Sequence, residues 1–344
     1  MLFVEDKAVA RKEVRIPVGV IGYGPAFNMG KHHLNAMAAY KEFVPTAVCD
    51  RDTERLKVAR ADFPGIQTYT SVSQMLRKSE VQLVAILLPH HLHAKVAIAC
   101  LNAGRHVVVE KPFAITVEEC DAMIAAARRH QVMLSAYHNR HWDANIITIM
   151  KHLPKIGRPF RWESFQGGYS EPGSWWRSDK KMSGGVIYDW GAHFVEWMLQ
   201  VMNYEMEAIS GFQIRKEVWK QVTNEDEVEA LVRFRGDAIA SHTASTIAMA
   251  GKDTIRITGT KGAIVAGHGS VVVHTLDRQG NRVATTVKME RAAHHRYYEN
   301  VRDHLVEGKP LIITPEWARR VIQVLDYACR SAARGGVWLK PKYR

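Results

Sequence analysis

Hydrophobic and polar positions fall into two rhythms along the chain. Up to about Tyr137, short, mostly apolar runs at 14–22, 44–49, 81–88, 106–109 and 132–136 alternate with stretches of helical spacing. Runs without period-two alternation are those of strands buried on both faces. The intervening stretches predict helices over 31–40, 53–62, 92–103 and 117–130. Gly104 stands where a helix ends on a left-handed residue, and Thr116-Val-Glu-Glu119 reads as a capping box. This repetition predicts a doubly wound parallel sheet.

Past Asp143 the rhythm changes. A helix over 144–152 and a strand over 159–166 lead into a loop rich in Gly, Ser and Trp at 167–185, then a helix over 186–202. Candidate strands follow at 207–215, 226–235, 238–246, 253–259, 262–266, 270–275 and 282–288, with helices over 292–307 and 315–333 closing the chain. Turns such as Arg235-Gly236-Asp237 and Thr260-Lys261-Gly262 mark a large, open, mainly antiparallel sheet. The organisation expected is an arm at 1–14, a doubly wound α/β domain of Rossmann type at 15–137, and an α+β domain at 138–344. A broad open sheet needs a cover for its second face, so a homo-oligomer, a dimer or tetramer through that face, is expected.

Composition narrows the class. The chain has 344 residues, 47% of them hydrophobic and 24% charged, as in an ordinary globular protein large enough for two cores. No apolar run approaches the roughly 20 residues of a membrane helix, and Met1 to Arg15 lacks the apolar core of a signal peptide. Cys49, Cys100, Cys120 and Cys329 are far apart and form no Cys-x-x-Cys, the usage of a reduced, cytoplasmic protein. The net charge of +12 comes from dispersed Lys and Arg, with no clustered basic and aromatic face for nucleic acid. Such a field serves solubility and favours anionic ligands.

Candidate chemistry sits at the ends of the expected strands. Gly22-Tyr-Gly24-Pro-Ala-Phe27-Asn28-Met29-Gly30 lies between strand and helix, the context of a dinucleotide fingerprint. Gly22 allows the tight turn, Gly24 lets backbone approach a pyrophosphate, and the helix N-terminus favours its charge. The loop is three residues longer than Gly-x-Gly-x-x-Gly. Asp50 ends the second strand, where a carboxylate binds ribose hydroxyls and disfavours the extra phosphate of NADP. It could equally cap the helix over 53–62. Arg51 beside it could hold that phosphate, so NAD is expected and NADP is not excluded. Pro89-His90-His91-Leu92-His93 follows the third of these strands; adjacent His90 and His91 diverge, so no metal is expected, and His93 faces the cofactor pocket with the others at its rim. Glu110-Lys111-Pro112 places a lysine at the carboxyl end of a strand, where α/β sheets bind ligands. Asp189 and His193, four apart on a helix, share one face that Glu196 and Trp197 continue. The flanks Ile187, Trp190, Phe194 and Val195 mark that helix as largely buried. A buried Asp–His pair fixes an imidazole's tautomer and raises its basicity. The preceding Gly184-Gly185 lets backbone approach a ligand closely.

Together these residues resemble the glucose–fructose oxidoreductase / inositol dehydrogenase family, Gfo/Idh/MocA. The resemblance runs from Arg15 onward through Val18 to Gly24, Pro89 with His93, Ala103 to Pro112, Asn139-Arg140, Trp176-Arg177, Gly184-Gly185 through Asp189 to His193, and a closing helix and strand over 314–338. It implies a pyridine-nucleotide oxidoreductase acting on a sugar, sugar derivative or cyclitol. It places Lys111 beside the nicotinamide and reacting hydroxyl, with Asp189 and His193 completing the catalytic group. It also implies that Trp176 and Arg177 reach the cofactor from the second domain, and that Phe27, Asn28, Met29, Glu110 and Asn139 belong to its surroundings. In oxidation either His193 or Lys111 accepts the hydroxyl proton, with His193 favoured because imidazole titrates near neutrality. Tyr169, Trp175 and Arg177 are expected to line the sugar site with His193, while Trp142 and Tyr188 suit packing. Two other outcomes fit the fold: an NAD-dependent glycosidase working by transient oxidation and elimination, and a non-catalytic NAD-binding regulator.

Overall fold

The computed structural model describes residues 14–267 and 269–344; the expected arm, apart from Val14, lies outside the described residues. Six parallel strands form the first sheet: β1 (Ile16–Ile21), β2 (Phe43–Cys49), β3 (Gln67–Tyr69), β4 (Leu83–Ile86), β5 (His106–Val109) and β6 (Leu134–Ala136). Their order is β3-β2-β1-β4-β5-β6. The order reverses between β1 and β4, which opens a crevice at their carboxyl ends. β4 is wholly buried and β5 nearly so, as their unbroken apolar runs require. The connecting helices are α1 (Met29–Ala38), α2 (Thr53–Asp62), α3 (Val72–Lys78), α4 (His93–Asn102) and α5 (Val117–His130). The Thr116 capping box of α5 is present, with Glu119 closing it.

The second half contains α6 (Ala144–His152), β7 (Pro159–Gly167), α7 (Lys180–Ser183), α8 (Tyr188–Met202), β8 (Met206–Ile214), β9 (Glu227–Phe234), β10 (Ala238–Ser245), β11 (Ile255–Gly259), β12 (Gly262–Gly267), β13 (Ser270–Leu276), β14 (Arg282–Val287), α9 (Arg296–Glu307) and α10 (Pro315–Ala332). Its eight strands run β14-β13-β12-β11-β7-β10-β9-β8. Every neighbouring pair is antiparallel except β7–β10, which is parallel. Buried residues alternate along β9 and β10, so one face of the sheet packs on helices and the other is left more open.

Two elements were not legible in the sequence. β3 is three residues at a sheet edge, and α3 has seven residues, too short for its period to show. The expected 167–185 loop contains the single turn α7 and a 3₁₀ turn at Trp176–Ser178. The expected closing strand reduces to a bridge between Leu339 and Ile209.

α10 joins the halves. It packs on α5, α8 and β8. Asp326 accepts from the Val117 N–H at 3.0 Å, and Arg319 meets Asp121 at 2.8 Å. β8 lies so close that a Cβ on Gly211 would stand 2.3 Å from the Ala328 carbonyl oxygen.

Candidate active site

The loop after β1 has the shape a dinucleotide needs. Gly22 has φ +101°, and a Cβ there would stand 2.2 Å from the Leu87 carbonyl oxygen, so only glycine fits. At Gly24 a Cβ would meet nothing within 4 Å: bare backbone fronts open space. Gly30 packs against the Tyr23 ring, 2.5 Å from its would-be Cβ, and takes the close-packing role of the fingerprint's last glycine. α1 starts at Met29, two residues before the expected Lys31, with Asn28 left-handed at its cap. Its free N–H groups therefore open onto the loop.

Asp50 follows β2 and grips this loop. One carboxylate oxygen accepts the Tyr23 N–H at 2.6 Å and the other accepts the Asp52 N–H at 2.9 Å. The capping role considered for Asp50 belongs instead to Asp52, which accepts from Glu54 N–H at 2.9 Å. A cap must reach the second or third N–H of its helix, and Asp52 stands immediately before α2. Arg51 is exposed beside Asp50. Bare backbone at Gly24, a helix N-terminus and a carboxylate at the β2 end together fit a dinucleotide.

The exits of β4 and β5 are tied together behind it. Pro89 opens a 3₁₀ turn, and His93 begins α4 wholly buried. The His93 ring nitrogens lie 2.7 Å from the Leu88 carbonyl and 2.8 Å from that of Pro112. Burial lowers the His93 pKa despite the pull of those carbonyls and of Glu110. His90 is not a rim residue: it is buried, with Nδ1 2.7 Å from the Ser183 carbonyl and its ring edge-on to Trp176. The Ser183 contact links the β4 exit to α7. Glu110 accepts from His33 at 2.9 Å and from the Lys111 N–H at 2.9 Å, while His33 Nδ1 meets the Tyr298 hydroxyl at 2.5 Å. Burial would raise the Glu110 pKa, but His33 and Lys111 outweigh it and hold it low. The Lys111–Pro112 peptide is cis.

Lys111 crosses the cleft to α8. Its ammonium donates to Asp189 Oδ1 at 2.7 Å and to the Asp189 carbonyl at 2.9 Å. Arg177 Nε lies 3.5 Å from Asp189 Oδ2. Burial works to raise the Asp189 pKa, yet Lys111 and Arg177 prevail and hold the carboxylate below its usual range. The expected Asp189–His193 pair is therefore absent among the described contacts. Two cations compete for the carboxylate more strongly than a neutral imidazole can. Gly184 and Gly185 also serve differently from the expectation: their would-be Cβ atoms would strike the Tyr188 ring at 2.9 Å and Glu225 Oε2 at 2.7 Å, so they make room for protein.

His193 is 4% exposed and its Nδ1 has no partner. Burial, then Lys111, His138, Arg140 and His294, push its pKa well below 6.5. Trp190 meets its ring edge-on at 5.5 Å, and Trp197 stacks at 6.1 Å. His138, immediately after β6, is 6.3 Å from His193 between ring centroids, and both its nitrogens lack partners. Burial lowers its pKa to about 4. Asn139 and Arg140 continue in a 3₁₀ turn, Asn139–Trp142, that ends beside α6.

Arg177 gathers the remaining aromatic residues. Its guanidinium carbon lies 4.8, 4.7 and 4.6 Å from the ring centroids of Phe27, Trp175 and Trp176. The lengthened loop thus meets the second domain through Phe27. Tyr169 stands apart, against Trp219 at 5.3 Å and bridged to Ile247, and no described contact joins it to Lys111, Asp189 or His193. Trp142 and Tyr188 are core residues, at 5% and 2% exposure. Sequence reasoning missed His138 and Trp190. The first follows a sheet strand at the same carboxyl edge as Lys111. The second stands in the sequence as an apolar flank of the helix, yet it is 38% exposed beside the lysine.

Comparison with known proteins accords with this geometry. Residues 16–138 match the model for the "Oxidoreductase family, NAD-binding Rossmann fold", and residues 154–265 match the "GFO/IDH/MocA C-terminal domain". The chain belongs to the Gfo/Idh/MocA oxidoreductase family. Among this family, it is 26% identical to the scyllo-inositol 2-dehydrogenase (NADP(+)) IolW of Bacillus subtilis, covering 94% of this chain and 95% of the relative. It is 28% identical to the levoglucosan dehydrogenase of Pseudarthrobacter phenanthrenivorans, over 72% of each. The structure of the putative oxidoreductase yvaA from Bacillus subtilis shares the fold, with a TM-score of 0.85 and 22% identity over 96% of this chain and 100% of that one. A Rossmann domain of this family binds NAD(P).

Proposed function

We propose that this Gfo/Idh/MocA protein transfers a hydride between NAD(P) and a hydroxyl-bearing carbon of a sugar, sugar derivative or cyclitol. The observation that carries the reading is the Lys111–Asp189 contact, at 2.7 Å, beside the neutral, buried His193 at the carboxyl edge of the Rossmann sheet. The inositol and levoglucosan dehydrogenases among its relatives support this class.

A bound nicotinamide supplies the hydride acceptor. The chain's own residues manage the oxygen and its proton. Lys111, held in place by Asp189, donates to the reacting hydroxyl and stabilises charge developing on it. His193 accepts the proton, since burial keeps the ring neutral at pH 7. Asp189 positions Lys111 rather than His193. Gly22, Gly24, the α1 N-terminus and Asp50 hold the dinucleotide, with Asp50 favouring NAD over NADP.

The test mixes the protein with NAD+ or NADP+ and, separately, scyllo-inositol, myo-inositol and levoglucosan, and follows the absorbance of reduced nicotinamide. Turnover with any of them carries the reading. Failure to bind either cofactor in the same samples would remove it. A second copy across the open face of the eight-stranded sheet belongs to the same reading, and a monomeric mass in solution would count against that part.

A further inference from the structure

Two carboxylates are each shared by two cationic or potentially cationic side chains. Asp189 is held by Lys111 and Arg177. Asp143 is held by Arg140, at 2.9 Å, and by His294. The nearby carboxylate of Glu196 is 1% exposed and occupied by His141, Trp317 and Gln200. Arg140 spends one terminal nitrogen on Asp143, and its other N–H groups meet no acceptor among the described residues. Its side chain is 37% accessible.

An aromatic ring lies against this guanidinium on one side. Its carbon lies 5.0 Å from the Trp190 ring centroid, and that ring is itself 38% exposed on a helix otherwise almost wholly buried. The same ring lies 6.0 Å from the Lys111 ammonium and 5.5 Å from His193. A planar fork of unspent donors therefore stands on one side of Trp190, with the proton-handling group on its other neighbours. A hydroxyl asks for a single donor. A held, partly used guanidinium with parallel N–H groups to spare matches a carboxylate. The chain's net charge of +12 draws such a ligand in.

We infer that the substrate is a ring polyol bearing a carboxylate, with Arg140 binding the carboxylate and Trp190 carrying the ring. This rests on the polyol reading above and adds the charged substituent to it.

The test uses the full chain loaded with NADH, or NADPH if that binds better, as a dead-end complex at constant ionic strength. Calorimetry compares three acid–neutral pairs: glucuronate with glucose, galacturonate with galactose, and quinate with scyllo-inositol. For at least one pair the acid is expected to bind ten-fold or more tightly than its neutral partner. Arg140→Met is expected to abolish that preference while leaving NADH affinity unchanged, and Arg140→Lys to retain part of it. Trp190→Ala is expected to weaken both members of the pair together. Equal or weaker binding of the acid in every pair overturns the inference, as does a preference that survives Arg140→Met. If no ligand of either kind binds while NADH does, the polyol reading itself fails and the inference with it.

Discussion

The ammonium of Lys111 reaches across the cleft and holds Asp189 twice, at 2.7 Å through the carboxylate and 2.9 Å through the carbonyl. A strand end of the Rossmann domain and the first turn of α8 are thereby registered to one another at the point where the proposed chemistry lies. Lys111→Ala removes both bonds and leaves Asp189 to Arg177 alone. We expect turnover to fall about 10²–10⁴-fold, the usual range for a group acting on the reacting proton. NADH should still bind. Steady-state rates beside a fluorescence titration separate the two effects.

His193 sets a second expectation, in the pH profile. Its pKa lies well below 6.5 because of burial and then of Lys111 and its neighbours. The neutral base is then present at and above pH 6.5, and protonation removes it only in more acid solution. The acid limb of kcat/KM for oxidation should therefore lie below pH 6.5. His193→Asn should lose about 10²–10⁴-fold in rate and lose that limb as well. An acid limb unchanged in the variant would assign it to another group.

Asp50 links the ribose end of the cleft to the glycine loop through Tyr23. Asp50→Ala removes a carboxylate that repels a 2′-phosphate and leaves exposed Arg51 in place. We expect NADH binding to weaken about ten-fold, the scale of one lost charge-assisted bond at roughly 1.4 kcal/mol. NADPH binding should hold or improve. Parallel titrations with the two cofactors report the change in ratio.

Stability should fall in mild acid. Burial lowers the pKa values of His90 and His242 to about 3 and of His138 to about 4, from 6.5 in an exposed ring. Below pH 6.5 the unfolded chain binds protons that the folded chain refuses, so stability is complete above that pH and is lost as pH falls toward 4. Each ring contributes up to about 1.4 kcal/mol per pH unit in that window. Urea unfolding at intervals from pH 7.5 to 4.5 measures the slope, and His242→Phe should flatten it, since that ring already stacks on Phe194 at 4.8 Å.

The fold was legible wherever an element was long or buried on both sides. β4 and β5 announced themselves as unbroken apolar runs, and α5 by its capping box. β3 and α3 did not, because three and seven residues carry too little period to distinguish them from a connection. At the site, strand-end position exposed Lys111, and helical spacing brought out Asp189 and His193. Spacing alone could not say whom Asp189 would choose. The answer depends on Lys111 and Arg177, which lie 78 and 12 positions away in sequence and arrive only through tertiary packing. His138 and Trp190 were hidden for a related reason: one histidine among 17 carries little signal until its ring nitrogens are seen to lack partners, and a tryptophan among apolar neighbours looks like core until its accessibility is known.

α10 carries a mechanical consequence. It is fastened to α5 by Arg319–Asp121 and Asp326–Val117, and to β8 by backbone so close that Gly211 admits no side chain. A rod clamped to both halves resists a swing of one against the other at this joint. The two halves meet again at the glycine loop, where the Phe27 ring lies 6.3 Å from that of Trp175 and 4.8 Å from the Arg177 guanidinium.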